Sequence, residues 1–450
     1  MPSLRGATWS AARRALPATG TGLLWAAIGV LVLALALLVT VAAPVPPLQD
    51  LNEWTYQGYL IGSRAAGDAI PAAVKHWPVP NAVTQLALAG LTIGLAPITA
   101  AKGFVGLYLL LGGAVLWQLS RRRDGARDGL RFALLVTLVL VHAPYWSGEF
   151  NYQVGLLVLT CYFGLYGAGR APPPATDIAY SVLLFFCHAL CLGVWFIHVG
   201  WRSLLQRRLA RGVASMLPAL ALLVWYAVAD PRPDHDPALR VGPKLTGFAE
   251  QAGYRLYVLA KIGPYQNMVF GGAGDADRFA AFYWLGTAVN FAFAGAMALL
   301  FLAWLRARRT AAPTPELLTA VSCAVIAAVD PGETLGIGNA GERFIYPALI
   351  IAVLCFEGGR RWRQTGAVLG GFAALLGLHL LIGLPPQTTA ISGVPDWSAM
   401  NDPRSRFRIL FWHRPFLYLG QIEAGQDAAT TGAPPAAGIM YETSLLQHRR

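Results

Sequence analysis

Residues 23–43 read LLWAAIGVLVLALALLVTVAA, an apolar run without a charged side chain. An α-helix needs about 20 such residues to cross the hydrocarbon core of a bilayer. Further apolar runs, most of roughly spanning length, follow at 82–98, 103–119, 132–144, 154–167, 178–200, 213–229, 282–305, 317–329, 344–356 and 368–384. The chain is 56% hydrophobic and 13% charged, about half the charged share of a soluble domain. So many apolar runs cannot all be buried in one soluble core, and they predict a polytopic membrane protein.

The runs predict an all-α fold of about 9–11 membrane helices, because backbone groups in lipid must bond within their own segment. A membrane β-barrel would need strands of alternating polarity, which the sequence lacks. We expect a transmembrane helical domain over residues 1–384, with interfacial helices in its first outer loop, and an outer-side tail over residues 385–450. The five cysteines lie within apolar runs without a CxxC pair, which indicates packing and not a disulfide or metal framework.

The net charge of +12 is concentrated in short basic clusters at 121–131, 202–211, 306–309 and 360–363. Such clusters between apolar runs are retained in the cytoplasm and meet anionic lipid. This pattern points to the lipid bilayer as partner and argues against nucleic acid. Arginines precede the first apolar run, which is long for a signal peptide. We therefore expect an uncleaved first helix with its N-terminus in the cytoplasm, in a multi-pass protein of a bacterial inner (plasma) membrane.

In the first half of the chain, a simple alternation of membrane crossings would not place every basic cluster on the cytoplasmic side. If every apolar run crossed, the basic cluster at 121–131 would lie outside. One run within 82–119 must therefore not cross, and 82–98 is the best candidate for a helix along the outer interface. One more such run is required within 132–200. The outer loops are then 44–102, 145–153, 230–281 and 330–343, and we expect their polar residues to converge.

The first outer loop places two carboxylates beside aromatic side chains. Asp50 and Glu53 are one helical turn apart, and Trp54 and Tyr56 follow directly. A carboxylate at a membrane face can act as a general base or hold a divalent cation, and the aromatic rings can stack on a sugar. The same pattern is also typical of an interfacial helix with aromatic anchors and incidental acids.

Basic side chains in two outer loops are candidates for phosphate binding. Lys75 and His76 precede a proline-rich turn, and Arg343 follows Glu342 where the positive-inside rule expects no arginine. The alternatives are snorkelling of Lys75 and a local charge-balanced edge at Glu342 and Arg343.

The turn at 144–155, PYWSGEFNYQVG, is the densest polar and aromatic cluster between two apolar runs. Glu149 is its only charged residue, and Trp146, Asn151 and Gln153 have the rings and amides that bind sugars. Gly148 allows a tight break in the chain. A plain loop with interfacial aromatic residues is the alternative.

Together these features resemble the GT-C superfamily of membrane glycosyltransferases, in which a long outer loop with an early acidic residue follows the first helix. Residues 23–200 carry the resemblance, with Asp50 and Glu53 in the first loop and Glu149 as a second acidic position. It implies transfer of a sugar from a polyprenyl-phosphate donor to a glycan, lipid or protein acceptor outside the cytoplasm. Asp50 or Glu53 would be the base, and a divalent cation would be held by Asp50, Glu53 or Glu149 if by any residue.

The resemblance also implies binding roles for several other residues. Lys75, His76 and Arg343 would neutralise the lipid phosphate, while Trp54, Trp146 and Asn151 would hold sugar. Two other functions remain open, namely a transporter or flippase of lipid-linked glycans or small solutes, and a non-catalytic membrane subunit. A transporter should carry ionisable residues at mid-membrane depth.

Overall fold

The computed structural model describes residues 20–42, 46, 48–67, 72–74, 78–121, 127–167, 172–229, 247–265, 276–330, 333–334, 337–338, 340–383 and 446–448. The helices are α1 (Gly20–Ala42), α2 (Gln49–Ala65), α3 (Val83–Thr92), α4 (Pro97–Leu119), α5 (Gly129–Leu135), α6 (Ala143–Trp146), α7 (Phe150–Tyr166), α8 (Pro174–Cys187), α9 (Ala189–Leu205), α10 (Leu209–Ala229), α11 (Phe248–Lys261), α12 (Ala276–Arg308), α13 (Pro315–Val329), α14 (Ala340–Cys355) and α15 (Arg360–Gly383). A π-helical stretch, Val136–Leu140, continues α5.

Short strands accompany the helices. β1 (Ala72–Val74) pairs antiparallel with β4 (Leu446–His448), and β2 (Glu333–Thr334) pairs antiparallel with β3 (Ile337–Gly338). The β1–β4 pair joins residues 446–448 to the segment between α2 and α3.

The described part of the chain is an all-α helical membrane protein. Helices at Gly20–Ala42, Pro97–Leu119, Leu209–Val228 and Trp284–Arg308 are long and apolar enough to cross a bilayer. Their outward faces are apolar, as at Leu110 and Val224, which are each 63% exposed. An apolar surface of this extent is compatible with lipid and not with water. The predicted fold class is confirmed.

The centre of the bundle is the segment from Gly129 to Trp146, in which every residue is buried. Close contact with the backbone of α1 requires glycine at position 129. A Cβ on Gly129 would lie 2.0 Å from the carbonyl oxygen of Gly22 in α1. The segment changes from α to π geometry before α6, where Val141 N donates to Val136 O at 3.0 Å. The segment leads directly into the turn at 147–149, which lies at one end of the bundle.

Residues 178–200, predicted as one apolar run, form two antiparallel helices. The helix breaks at His188, whose backbone is extended. Arg202 at the end of α9 donates to buried Asp177 at the start of α8, so both ends of the hairpin meet. Tyr162 of α7 also donates to Asp177, at 2.8 Å. The charge pattern required one run within 132–200 that makes no net crossing, and the hairpin meets this requirement as two helices whose ends lie together. Its placement in the membrane stays a prediction.

The helix within residues 82–98 is short, which agrees with a run that does not cross, and its position at the outer interface stays a prediction. α3 has 10 residues, or about 15 Å of helix against roughly 30 Å of hydrocarbon. It packs tightly on α2, because a Cβ on Gly58 would lie 2.7 Å from Leu88 Cβ.

The basic clusters share one end of the bundle, which we call the basic end. Arg121, Arg131, Gln206 and Arg308 line a single cavity there. Arg363 donates to Asp128 at 3.2 Å beside it. The prediction that the clusters lie on the same side is confirmed.

The ion pair that closes the α8–α9 hairpin gives a stability prediction. Arg202→Met leaves the Asp177 carboxylate buried without its partner, and we expect a loss of about 3–5 kcal/mol in unfolding free energy. Adding Asp177→Leu should restore most of the loss, because no isolated charge then remains. Thermal unfolding of the purified protein in detergent measures both, with exposed Arg207→Gln as control. Equal losses in the single and double variants would contradict this account of the hairpin.

Candidate functional site

The start of α2 packs against the turn before α7. Asp50 N donates to Ser147 O at 2.9 Å. Gly148 has a φ of 81°, and a Cβ there would lie 2.5 Å from Leu51 N and 2.8 Å from Asp50 N. Only glycine fits both the conformation and the space. The predicted tight break at Gly148 therefore brings the first outer loop into contact with the second.

A part-buried ion pair joins that turn to the third outer stretch. Arg343 Nε donates to Glu149 Oε2 at 2.9 Å, and the side chains are 17% and 20% exposed. The Tyr152 hydroxyl, one turn into α7, donates to Arg343 O at 2.7 Å and fixes the start of α14. The expected convergence of the three stretches is thus confirmed for Asp50, Glu149 and Arg343.

The pKa of Asp50 is raised from 3.8 to about 8. Burial of the carboxyl is the largest cause, the negative charge of Glu149 adds to it, and the positive charge of Arg343 opposes it. Asp50 lies in the first turn of α2, outside the membrane-spanning helices. At pH 7 this carboxyl is therefore mostly protonated.

A second ion pair lies beside the first. Lys261 Nζ, at the end of α11, donates to Glu342 Oε2 at 2.8 Å, and both side chains are buried. The Tyr346 hydroxyl donates to Lys261 O at 3.2 Å, and the Tyr257 ring centroid is 5.2 Å from Nζ. Sequence analysis missed Lys261, because a lone lysine after an amphipathic segment carries no distinctive motif.

Five ionisable residues thus form what we call the charged network, which consists of Asp50, Glu149, Lys261, Glu342 and Arg343. Its two cations face three carboxyl groups. With Asp50 protonated the formal charges of the network balance, in agreement with the raised pKa of that carboxyl.

The predicted sugar-binding residues of the turn have their polar groups engaged within the protein. Trp146 is 1% exposed, and its Nε1 donates to Pro264 O at 2.8 Å. Asn151 donates to Asn81 O at 2.7 Å and accepts from Thr84 N at 2.9 Å. These contacts hold the loops around the site, and the contact of these side chains with a sugar stays a prediction.

Gln153 is also internal. It is fully buried, at 2.7 Å from the Tyr108 hydroxyl and 3.0 Å from His142 Nε2. Trp54 is 8% exposed, and its indole nitrogen has no hydrogen-bond partner among the described residues. Glu53 and Tyr56 lie on the described α2 helix, but their side chains, and all of Lys75 and His76, lie outside the described residues.

His188 at the tip of the α8–α9 hairpin lies near the charged network. Its ring is edge-on to Tyr152, with centroids 5.3 Å apart, and its Nδ1 accepts from Leu190 N at 3.2 Å. Asn81 bridges the same tip to the first outer loop by accepting from Ala189 N at 3.0 Å. His188 is a polar residue within the apolar run 178–200, and its position in the sequence does not indicate these partners.

Metal ligands do not cluster in the described part of the chain, where no group of three or more His, Cys, Asp or Glu residues is placed to hold a metal ion. The Glu53 side chain lies outside the described residues. A divalent cation at the carboxylates therefore stays a prediction.

Fold and site together define a class, that of all-α membrane proteins with a network of buried acids and bases at the end of the bundle opposite the basic end. The chain matches no protein-family model, and no curated protein or solved structure is significantly similar to it.

The raised pKa of Asp50 predicts a pH-dependent effect of its neutral isostere. Between about pH 4 and pH 8 the unfolded chain has released the proton that the folded protein still holds, so wild-type stability falls as pH rises through this window. Asp50→Asn removes this loss. We expect its advantage in melting temperature to grow from pH 5 to pH 8 and then to level off. A difference that does not vary with pH would contradict the assignment.

Proposed function

We propose that the protein is a membrane glycosyltransferase that moves a sugar from a polyprenyl-phosphate donor to an acceptor on the non-cytoplasmic side of the membrane. The observation that most supports this proposal is the Asp50 carboxyl. It lies beside the Glu149–Arg343 ion pair, and its pKa is about 8. A base whose pKa lies near the working pH is effective in proton transfer, and strongly shifted groups mark functional sites.

The proposed reaction assigns each charge a task. The ionised Asp50 carboxylate takes the proton of an acceptor hydroxyl as its oxygen bonds to the anomeric carbon of the donor sugar. The bond from that carbon to the phosphate oxygen breaks, and polyprenyl phosphate leaves with one additional negative charge. Arg343, part of whose side chain reaches the surface, offsets this charge. Glu149 holds Arg343 in position.

The other residues have supporting tasks in this proposal. Lys261 keeps Glu342 paired, so that Glu342 does not compete for Arg343. Glu53 is the alternative base, one turn along α2 from Asp50. Asp50, Glu53 and Glu149 are the carboxylates that would hold a divalent cation, whose charge would neutralise the donor phosphate.

Orientation follows from the charge asymmetry of the bundle. The basic end gathers the arginine clusters, and the positive-inside rule assigns that end to the cytoplasm. The charged network then faces the outside, and the N-terminus is cytoplasmic, as in a bacterial inner-membrane protein. The partners are the lipid bilayer, a polyprenyl-phosphate-linked sugar and a glycan, lipid or protein acceptor.

A second candidate function is transport or flipping of a lipid-linked glycan or a small solute. It is favoured by the buried Asp177–Arg202 pair at the open end of the α8–α9 hairpin, because buried ionisable residues in membrane bundles often mark a pathway. Transport would move labelled glycan across the membrane without breaking its bond to the phosphate. The transfer reaction breaks that bond, and the two functions are thereby distinguished.

Loss of the base gives the first test of transfer. Asp50→Asn keeps the shape of the side chain and removes its basic form, and we expect a loss of about 10²–10⁴-fold in rate. Glu53→Gln tests the alternative base in the same way. The measurement is transfer of radiolabel from a panel of polyprenyl-phosphate-linked sugars in membranes containing the protein, normalised to protein level. Glu250→Gln, an exposed glutamate on α11, is the control. Full activity in both single variants and their double variant would remove the proposal.

The charge of Glu149 should tune the base. The transfer rate should rise with pH to a plateau above about 8, because the ionised form of Asp50 is the active one. Glu149→Gln removes a neighbouring negative charge that raises the Asp50 pKa, so the rising limb should move to lower pH. The pH dependence of the rate in both proteins measures this shift. A limb that stays in place would show that another group controls the rate.

A further inference from the structure

The cavity at the basic end has polar and apolar walls. Its volume is about 830 Å³, within the roughly 300–1,000 Å³ range of small-molecule sites. Charged side chains at its wall are Arg121, Arg131, Arg308, Glu316 and Glu357. Apolar side chains complete it, including Leu119, Phe163, Leu165, Leu205, Trp304 and Leu354. Such a lining suits an amphiphile.

Two opposite charges face this cavity without pairing. Glu316 is 3% exposed, and no described residue forms a hydrogen bond or ion pair with its side chain. The guanidinium of half-buried Arg308 likewise has no hydrogen-bond or ion-pair partner among the described side chains. A buried carboxylate is costly without a partner. Both side chains line the cavity and form no ion pair with each other, so a ligand with both charges could compensate them.

Helix ends strengthen the demand for a positive group. The last turns of α4, α7, α9, α12 and α14 border the cavity, through residues such as Gln118, Leu165 and Leu354. The carbonyl ends of helices carry partial negative charge and attract cations. Together with Glu316 they favour an ammonium group, while the arginines favour a phosphate.

Two exposed apolar side chains lie in the wall of the cavity. Leu165 and Leu205 line the cavity and are 49% and 41% exposed. Apolar side chains exposed on a membrane bundle contact acyl chains. A ligand that enters here keeps its chains in the bilayer and inserts its head group between the helix ends.

We infer that this cavity binds an aminophospholipid, whose phosphate lies against Arg308 and Arg121 and whose primary ammonium group lies against Glu316. The zwitterionic head group of such a lipid complements the unpaired charges of Glu316 and Arg308. Its acyl chains can contact the exposed leucines. Pockets of basic residues between membrane helices bind lipid head groups in the same manner. The site is separate from the charged network, which lies at the other end of the bundle.

Native mass spectrometry of the full-length delipidated protein in detergent tests this inference, with added phosphatidylethanolamine, phosphatidylcholine or phosphatidylglycerol. Phosphatidylcholine has no N–H donor, and phosphatidylglycerol has no cation. We expect adducts of phosphatidylethanolamine to be retained at about tenfold lower lipid concentration than adducts of the other two lipids. One charged hydrogen bond between the ammonium group and Glu316 contributes a difference in affinity of about this size. Equal retention of all three lipids, or a preference for phosphatidylglycerol, would overturn the inference.

Matched variants locate the site. Glu316→Gln and Arg308→Gln should each weaken retention of phosphatidylethanolamine about tenfold, and Glu316→Gln should also abolish its preference over phosphatidylcholine. Arg309→Gln, an exposed neighbour outside the cavity lining, should leave retention unchanged. Wild-type retention in both cavity variants would place the lipid elsewhere. If Glu316→Gln fails to fold, Arg308→Gln and the lipid preference of the wild type still decide.

Discussion

The ion pair between Arg343 and Glu149 connects parts of the chain that are 194 positions apart. It joins the start of α14 to the turn before α7, and that turn receives the start of α2 through Ser147 and Gly148. A part-buried pair of this kind contributes little net stability, because the desolvation of both charges offsets their attraction. Its consequence is positional. It fixes a cation and an anion beside Asp50, and their opposing effects, added to burial, set the pKa of that carboxyl.

Buried charges are compensated in different ways at the two ends of the bundle. At the end with Asp50, the acids and bases pair with one another, and the remaining carboxyl keeps its proton. At the basic end, Glu316 and Arg308 line a cavity without pairing among the described residues, and in the proposed lipid site a bound head group supplies the compensating charges. The fully buried segment 129–146 runs between these ends. Its single glycine, Gly129, allows close contact with α1, and its π-helical stretch leads to the turn before α7.

The sequence predicts the helices well where composition alone decides, as in α1, whose apolar run exceeds the thickness of the bilayer. It also predicts the short α3 helix and the shared basic end, because the charge rule constrains them. It does not predict the break at His188, since the residues on both sides are equally apolar. Lys261 and the internal partners of Trp146 and Asn151 also escape prediction, because these contacts join segments far apart in the chain. Gly148 was identifiable as a break, but its close approach to α2 depends on the tertiary structure.

The protonation state of Asp50 tests the central claim most directly. Infrared spectroscopy of the purified protein follows the C=O stretch of a protonated carboxyl, and subtraction of the Asp50→Asn spectrum isolates the band of this residue. The structure predicts a band at pH 7 that disappears with a midpoint near pH 8. A band already lost by pH 5 would show an ordinary, solvated carboxylate, and neither burial nor the Arg343–Glu149 pair would then set the pKa of Asp50 as described.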